Sequence, residues 1–197
     1  MPLKPALELL KDAMAGGYAV GYFESWNLES LQGVIDAAEV TQSPIIIGFN
    51  GEFLSHAGRL TQEHLAWYAA LGRAAAESAS VPCALIFNEC AQDDWIRRAV
   101  DEGFSQVMLD DPTAPRSEIV ERLRILIEYA HARDVAVEAG FGHLPSGAAG
   151  EIEDADSGMT DPDGAARFVH ETGIDILGVS VGNVHILLDG ERGLDLE

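Results

Sequence analysis

Six short apolar runs, spread over the whole chain, constrain its fold more than any other feature. They are rich in Val, Ile and Phe, and longer amphipathic stretches separate them. Short apolar runs that alternate with amphipathic stretches are typical of parallel sheets with both faces covered by helices. The predicted strands are residues 19–23, 44–49, 82–87, 106–109, 135–138 and 174–181. The chain is therefore expected to be an α/β protein built from repeated βα units.

The stretches between the runs have the periodicity of amphipathic helices. Leu31, Ile35 and Ala38, for example, fall on one face of the helix predicted after the first strand. The last predicted helix has Asp161 as a capping residue before proline at its start and Gly173 as its stop. The predicted helices are residues 6–15, 28–40, 62–80, 93–102, 116–133 and 162–172.

Repeated βα units of this kind predict a (β/α)8 TIM barrel. Such a barrel has eight strands and typically about 250 residues, so a chain of 197 residues with six predicted strands lacks about two units. An open six-stranded sheet is the alternative, and we favour the barrel without its seventh and eighth units. Residues 1–197 are expected to form one domain, with the helix at residues 6–15 plugging the barrel floor.

The composition excludes several classes of partner. The formal net charge of −21 would repel nucleic acid phosphates and anionic lipids, so we expect neither nucleic acid nor membrane binding. No apolar run approaches the ~20 residues of a membrane-spanning helix, and the first residues lack a secretory signal pattern. The chain is therefore expected to be cytoplasmic. Cys83 and Cys90 have the spacing of neither a disulfide framework nor a C-x-x-C metal site.

Polar side chains directly follow each predicted strand. In a parallel barrel the carboxyl ends of the strands form one face, where ligands bind. Carboxylates, amides and histidines that meet there have the chemistry to hold a divalent metal and the hydroxyls of a sugar. These residues are Glu24, Ser25, Asn27, Asn50, Asn88, Glu89, Asp110, Asp111, Gly140, Gly142, His143, Gly182, Asn183 and His185.

The ordered series of segments along the chain resembles the class II, metal-dependent fructose- and tagatose-bisphosphate aldolases. The similarity begins at residues 17–23 with Asn27-Leu28-Glu29, and it continues through residues 103–110 and 128–139 to Val181-Gly182-Asn183-Val184-His185. It covers essentially the whole chain. The resemblance implies a barrel fold, a phosphorylated ketose as substrate and a homodimer.

The resemblance also implies a divalent metal, usually zinc, held by three histidines and acting as a Lewis acid on the ketose carbonyl. His185 matches one of those ligands, and we expect Glu89, Asp110 and Glu138 to complete the set. Glu153 matches the loop glutamate that exchanges a substrate proton, with Glu151 as the alternative. The residues expected to bind substrate are Asn27, Asn50, Gly182 and Asn183.

The chain departs from the family pattern at functional positions. Where the family has His-Leu-Asp-His after the third strand, this chain has Ile86-Phe87-Asn88-Glu89. Asn88 therefore occupies the position of the catalytic aspartic acid, but it has no titratable proton. Gly140 replaces a glutamate, and Ile186 replaces a glycine that helps to bind phosphate.

Two functions and a position between them remain open at this point. The first is an aldolase-type lyase that makes or breaks a C–C bond of a ketose phosphate in carbohydrate metabolism. The second is a diverged barrel that binds a sugar phosphate or serves as a non-catalytic subunit. In the intermediate position, Asn88-Glu89 marks a subfamily with a different metal set or an unphosphorylated substrate. Asn88, Gly140 and Ile186 favour the second, and the extent of the resemblance favours the first.

Overall fold

The computed structural model describes residues 2–142 and 159–182. Six strands alternate with seven helices in this part of the chain. In chain order the elements are α1 (Ala6–Gly16), β1 (Gly21–Glu24), α2 (Leu28–Thr41), β2 (Ile45–Asn50), α3 (Gly51–Ser55), α4 (Leu65–Ser78), β3 (Cys83–Cys90), α5 (Asp93–Asp101), β4 (Gln106–Leu109), α6 (Arg116–His131), β5 (Ala136–Phe141), α7 (Pro162–Thr172) and β6 (Ile176–Val179). None of the helices among the described residues is long and apolar enough to cross a membrane.

The six strands form one parallel sheet in the order β1-β2-β3-β4-β5-β6. Each strand pairs with the next strand along the chain, as the βα rhythm predicts. Sequential parallel order with helical crossovers is the arrangement of a (β/α)8 barrel. The predicted α/β class is thus confirmed, and the six described strands form a parallel half barrel that is consistent with part of such a barrel.

Alternate residues of β2, β3, β5 and β6 belong to two separate apolar layers. Leu85 and Phe87 of β3 join the core between the sheet and the outer helices, whereas Ala84 and Ile86 face the barrel interior. The interior layer also contains Ala6 and Leu9 of α1. Helix α1 therefore closes the floor of the half barrel, as its position before the first strand predicts.

The predicted helices and the observed ones differ mainly at their ends. The limits of α7 are those predicted, because Asp161 accepts a hydrogen bond from the Gly164 N–H and Gly173 ends the helix with a φ of 78°. Helix α3 was not predicted. It has five residues, too few for a periodic apolar face, and it starts where Asn50 caps it through the Phe53 N–H.

Candidate active site

The carboxyl ends of β2 and β3 bring two predicted site residues side by side. Asn50 and Asn88 are direct partners in the parallel register, and both are buried. Ile46 of β2, and Ala84 and Ile86 of β3, belong to the interior layer. Each lies an even number of positions before the asparagine of its strand. Asn50 and Asn88 therefore continue the inward-facing rows of β2 and β3 at the open end of the barrel.

A bulge in β3 brings Glu89 into the same region. The pairing with β4 runs from Phe87↔Val107 to Cys90↔Leu109, so β3 has one residue more than β4 in this interval. Glu89 lies in it with a φ of 47°, the left-handed region that side chains rarely adopt. The Glu89 carboxylate accepts a hydrogen bond from the Asn50 Nδ2 at 2.8 Å. The bulge thus places consecutive polar residues, Asn88 and Glu89, at the barrel mouth.

Glu24, the last residue of β1, lies next to this pair. Its Oε2 accepts a hydrogen bond from the Tyr22 hydroxyl at 3.2 Å. Burial raises the pKa of Glu24, hydrogen bonds from Asn50, Tyr22 and Asn88 oppose the rise, and the charge of Glu89 adds to it. Burial raises the pKa of Tyr22, and the carboxylates of Glu24, Glu89 and Glu138 raise it further, so the hydroxyl remains a neutral donor. Glu24 was among the polar strand-end residues of the sequence but had no predicted role.

Glu138 is a further carboxyl group of the site. It lies on β5, and its Oε2 accepts a hydrogen bond from the Gln106 Nε2 at 2.6 Å. Burial raises the pKa of Glu138, the Gln106 hydrogen bond lowers it, and the charge of Glu89 raises it further. We call Tyr22, Glu24, Asn50, Asn88, Glu89, Gln106 and Glu138 the interior polar cluster.

A cavity of about 650 Å³ opens beside this cluster at the ends of β3 to β6. Glu89 lies on its wall, so the cavity is continuous with the cluster. Asp110 lines it from the end of β4, and Gly140 and Gly178 line it from β5 and β6. On the opposite wall the Arg116 guanidinium lies 4.0 Å from the centre of the Phe141 ring. The space is sufficient for a small phosphorylated sugar.

Arg122 of α6 holds together the loops that follow β3 and β4. Its guanidinium contacts Asp93 and Asp111, each at 2.8 Å, and donates to the Ala91 carbonyl at 2.5 Å. Hydrogen bonding to Arg122 lowers the pKa of Asp111. The side chain of Arg122 is only 15% exposed. It therefore orders the segments that follow Glu89 and Asp110, although the sequence assigned it no such role.

The predicted site residues have several different placements. Asn50, Asn88, Glu89 and Glu138 meet in the interior polar cluster, and Asp110 lines the adjoining cavity. Asn27 caps α2, since its Oδ1 accepts a hydrogen bond from the Ser30 N–H at 2.8 Å. Gly182 follows β6 with a φ of 89°. Glu151, Glu153, Asn183, His185 and Ile186 lie outside the described residues.

Three of the predicted metal ligands, Glu89, Asp110 and Glu138, lie among the described residues. Within residues 2–142 and 159–182, no three His, Cys, Asp or Glu side chains come together closely enough to hold a metal ion. Glu89 and Glu138 instead accept hydrogen bonds from the amides of Asn50 and Gln106. The described carboxylates do not by themselves form a metal centre.

Comparison with known proteins decides the family. The fructose-bisphosphate aldolase class-II family matches residues 4–197. The chain belongs to this family. The α/β fold and the parallel strand order described above agree with this membership.

Individual relatives agree with the family. The chain is 32% identical over 186 residues to the Escherichia coli (strain K12) protein YdjI, with 94% of this chain and 65% of YdjI aligned. It is also 32% identical over 188 residues to a fructose-bisphosphate aldolase of Thermus caldophilus, covering 93% of this chain and 58% of the relative. The chain thus spans less than two thirds of the length of either relative.

Solved structures show the same fold. The crystal structure of the YdjI aldolase from Escherichia coli K12 superposes with a TM-score of 0.79 at 29% identity, covering 98% of this chain and 65% of that one. A candidate fructose-1,6-bisphosphate aldolase from Coccidioides immitis superposes with a TM-score of 0.77 at 30% identity, covering 93% and 63%.

Proposed function

We propose that this protein is an aldolase-type lyase that cleaves or forms a C–C bond of a ketose phosphate in carbohydrate metabolism. The observation that carries the proposal is the meeting of Asn50, Asn88 and Glu89 at the mouth of a class II aldolase half barrel. Glu24 and Glu138, whose pKa values are raised by burial, belong to the same cluster. Aldol cleavage needs groups that move protons at adjacent oxygen and carbon atoms. Carboxyl groups with a raised pKa are suited to that task near neutral pH.

The adjoining cavity supports a phosphorylated substrate. Gly140 and Gly178 lack side chains that would fill its floor, and Arg116 provides one positive charge on its wall. For Asn50 we keep the substrate-binding role that the sequence predicts, and its amide donates to the Glu89 carboxylate on the cavity wall. For Gly182 and Asn183 we keep the substrate-binding role that the sequence predicts. For Asn27 the capping of α2 is an alternative role.

A divalent metal, with zinc as the first choice, belongs to the proposal because the family uses one. It would polarise the ketone carbonyl when bound. His185, Glu89, Asp110 and Glu138 remain the proposed ligands, and Glu153 remains the proposed proton-exchange residue. Cytoplasmic location and a homodimer also remain proposals.

The test is an assay of the full chain in the presence of zinc, manganese or magnesium. Fructose 1,6-bisphosphate, tagatose 1,6-bisphosphate and unphosphorylated fructose are supplied in turn, and the triose products are measured. Cleavage of a phosphorylated ketose supports the lyase. Saturable binding of the same compound without cleavage supports the second candidate, a non-catalytic sugar-phosphate binder, which the amide at position 88 favours.

A further inference from the structure

Arg116, the first residue of α6, lies on the wall of the cavity over two aromatic rings. Its guanidinium carbon is 4.0 Å from the centre of the Phe141 ring and 4.8 Å from that of the Phe168 ring. No carboxylate of the described residues forms an ion pair with Arg116, whereas Arg122 on the same helix contacts two aspartates at 2.8 Å. Within the described part of the chain, the charge of Arg116 is therefore not neutralised by a partner.

The two rings are held in place by the fold. Phe141 ends β5, Phe168 on α7 is 1% exposed, and the ring centres are 5.5 Å apart. Gly164 makes room for the rings, because a Cβ at this position would lie 2.7 Å from the Phe141 Cζ. The Phe141 carbonyl accepts a hydrogen bond from the Thr160 hydroxyl, whose oxygen accepts one from the Ser180 N–H at 2.8 Å. Contacts with α7 and with the end of β6 therefore fix the surface on which the guanidinium lies.

Stacking on aromatic rings leaves the hydrogen-bonding groups of an arginine available. A guanidinium contacts a ring through its face, whereas its five N–H donors lie in its plane and point outward from the edge. Two of these donors match two oxygens of a phosphate group. Because the rings already restrict the side chain, less conformational entropy is lost when an anion binds.

We propose that Arg116 binds a terminal phosphate group of the ketose phosphate and thereby determines substrate specificity and the direction in which the substrate lies. This inference rests on the proposed ketose phosphate substrate and names the residue that selects for it. The role is one of binding, and it gives Arg116 no part in proton transfer.

The charges around the cavity favour Arg116 as the phosphate contact. Among the described residues that line the cavity, Arg116 has the one positive charge, and Glu89, Asp110 and Asp111 have negative charges. A phosphate dianion is repelled by these carboxylates and by the formal net charge of −21, and it is attracted by the guanidinium. The phosphate end of the substrate is therefore expected at Arg116, with the reacting carbon atoms beside Glu89.

The experiment compares wild type with Arg116→Gln in the full chain, using fructose 1,6-bisphosphate, fructose 1-phosphate and fructose 6-phosphate. The specificity constant kcat/KM is measured for each compound that is cleaved, and the calorimetric Kd for each that is bound without cleavage. The values for the bisphosphate and for one of the two monophosphates should worsen by at least about tenfold, as expected for loss of a charge-assisted bidentate contact. The other monophosphate lacks the phosphate that Arg116 contacts, so its value should stay within about threefold.

Arg98→Gln is the matched control. The Arg98 guanidinium also lies over an aromatic ring, that of Trp95 at 5.1 Å, but it belongs to α5 and does not line the cavity. The control variant loses the same kind of cation–π contact and should leave the values for all three compounds unchanged.

The possible outcomes separate this inference from the lyase function. Arg116→Gln values within about threefold of wild type for all three compounds overturn the role of Arg116 and leave the lyase standing. An equal loss for all three compounds also overturns it, because a general disturbance of the fold does not distinguish one phosphate from another. Binding without cleavage refutes the lyase, and the Kd values then decide the role of Arg116 by the same criteria. A wild-type protein that binds none of the three compounds overturns both proposals.

Discussion

Asn50 joins the ends of two strands to the start of a helix, because its Nδ2 donates to the Glu89 Oε2 at 2.8 Å while its Oδ1 accepts from the Phe53 N–H at 3.1 Å. The same amide also lowers the pKa of Glu24 by hydrogen bonding. The buried Asn50 side chain thus caps α3 and separates the carboxyl groups of Glu24 and Glu89. Both functions require an amide, which has a donor and an acceptor at once.

Replacement of Asn50 by aspartate should therefore destabilise the protein at neutral pH. Asn50→Asp keeps the acceptor for α3 but places a third carboxylate between Glu24 and Glu89. Loss of a buried donor costs about 1–3 kcal/mol of unfolding free energy, and like-charge repulsion adds to it. Asn27→Asp is the matched control, because the Asn27 side chain caps α2 through its oxygen only and aspartate caps equally well. Urea unfolding at neutral pH and near pH 5 measures both. Equal stability of the two variants would contradict the separating role of Asn50.

Glu138→Gln should stabilise the protein at neutral pH. Burial raises the pKa of Glu138 above its ordinary value of 4.5, so the folded state holds this proton more tightly than the unfolded state. The resulting stability is fully present below pH 4.5 and is lost as pH rises through the higher folded pKa. The substituted amide oxygen still accepts from Gln106 and carries no buried charge. Unfolding free energies between pH 4 and pH 8 should fall less steeply for this variant than for wild type, with Glu128→Gln as the control. Parallel curves would exclude a raised pKa at position 138.

Arg122→Gln should cost about 1–3 kcal/mol of unfolding free energy, because it removes the ion pairs with Asp93, Asp111 and Glu118 and a backbone hydrogen bond from a mostly buried side chain. Arg122 lowers the pKa of Asp111 below 3.8, so its contribution is present above pH 3.8 and is lost as pH falls through the folded pKa. The deficit of the variant should therefore shrink in acid. Arg167→Gln is the control, since the Arg167–Asp161 pair is 3.9 Å apart and exposed. A comparable loss in the two variants would refute the anchoring role of Arg122.

Gly48→Ala should destabilise the sheet between β1 and β3. A Cβ at this position would lie 2.2 Å from the Ile86 carbonyl oxygen of β3. This clash with backbone can be relieved only if β2 or β3 moves. Overpacking of this kind costs about 1–3 kcal/mol. Gly33→Ala in α2 is the matched substitution with open space around it, and it should stabilise by up to about 1 kcal/mol through helix propensity. Thermal unfolding of the pair measures the difference, and the prediction fails if the two variants shift Tm in the same direction.

Most of the fold could be predicted from the sequence because it depends on local patterns. All six strands coincide with apolar runs, and α7 has its predicted limits since Asp161 and Gly173 act on adjacent backbone groups. The missed helix α3 depends on Asn50, whose cap geometry is set by the end of β2 rather than by periodicity.

The candidate site was only partly predictable for a related reason. Polarity after each strand identified Asn50, Asn88 and Glu89 as candidates, but it also included Asn27, whose side chain caps a helix.

By itself, the sequence determined the βα order, the barrel class and the family, because apolar periodicity and an ordered series of motifs are properties of neighbouring residues. Only the tertiary structure decided that Asn50 of β2 lies beside Asn88 of β3, and that a bulge brings Glu89 to the Asn50 amide. Side chains far apart in the chain acquire shared hydrogen bonds and raised pKa values only when the register of the sheet brings them together and removes water from between them.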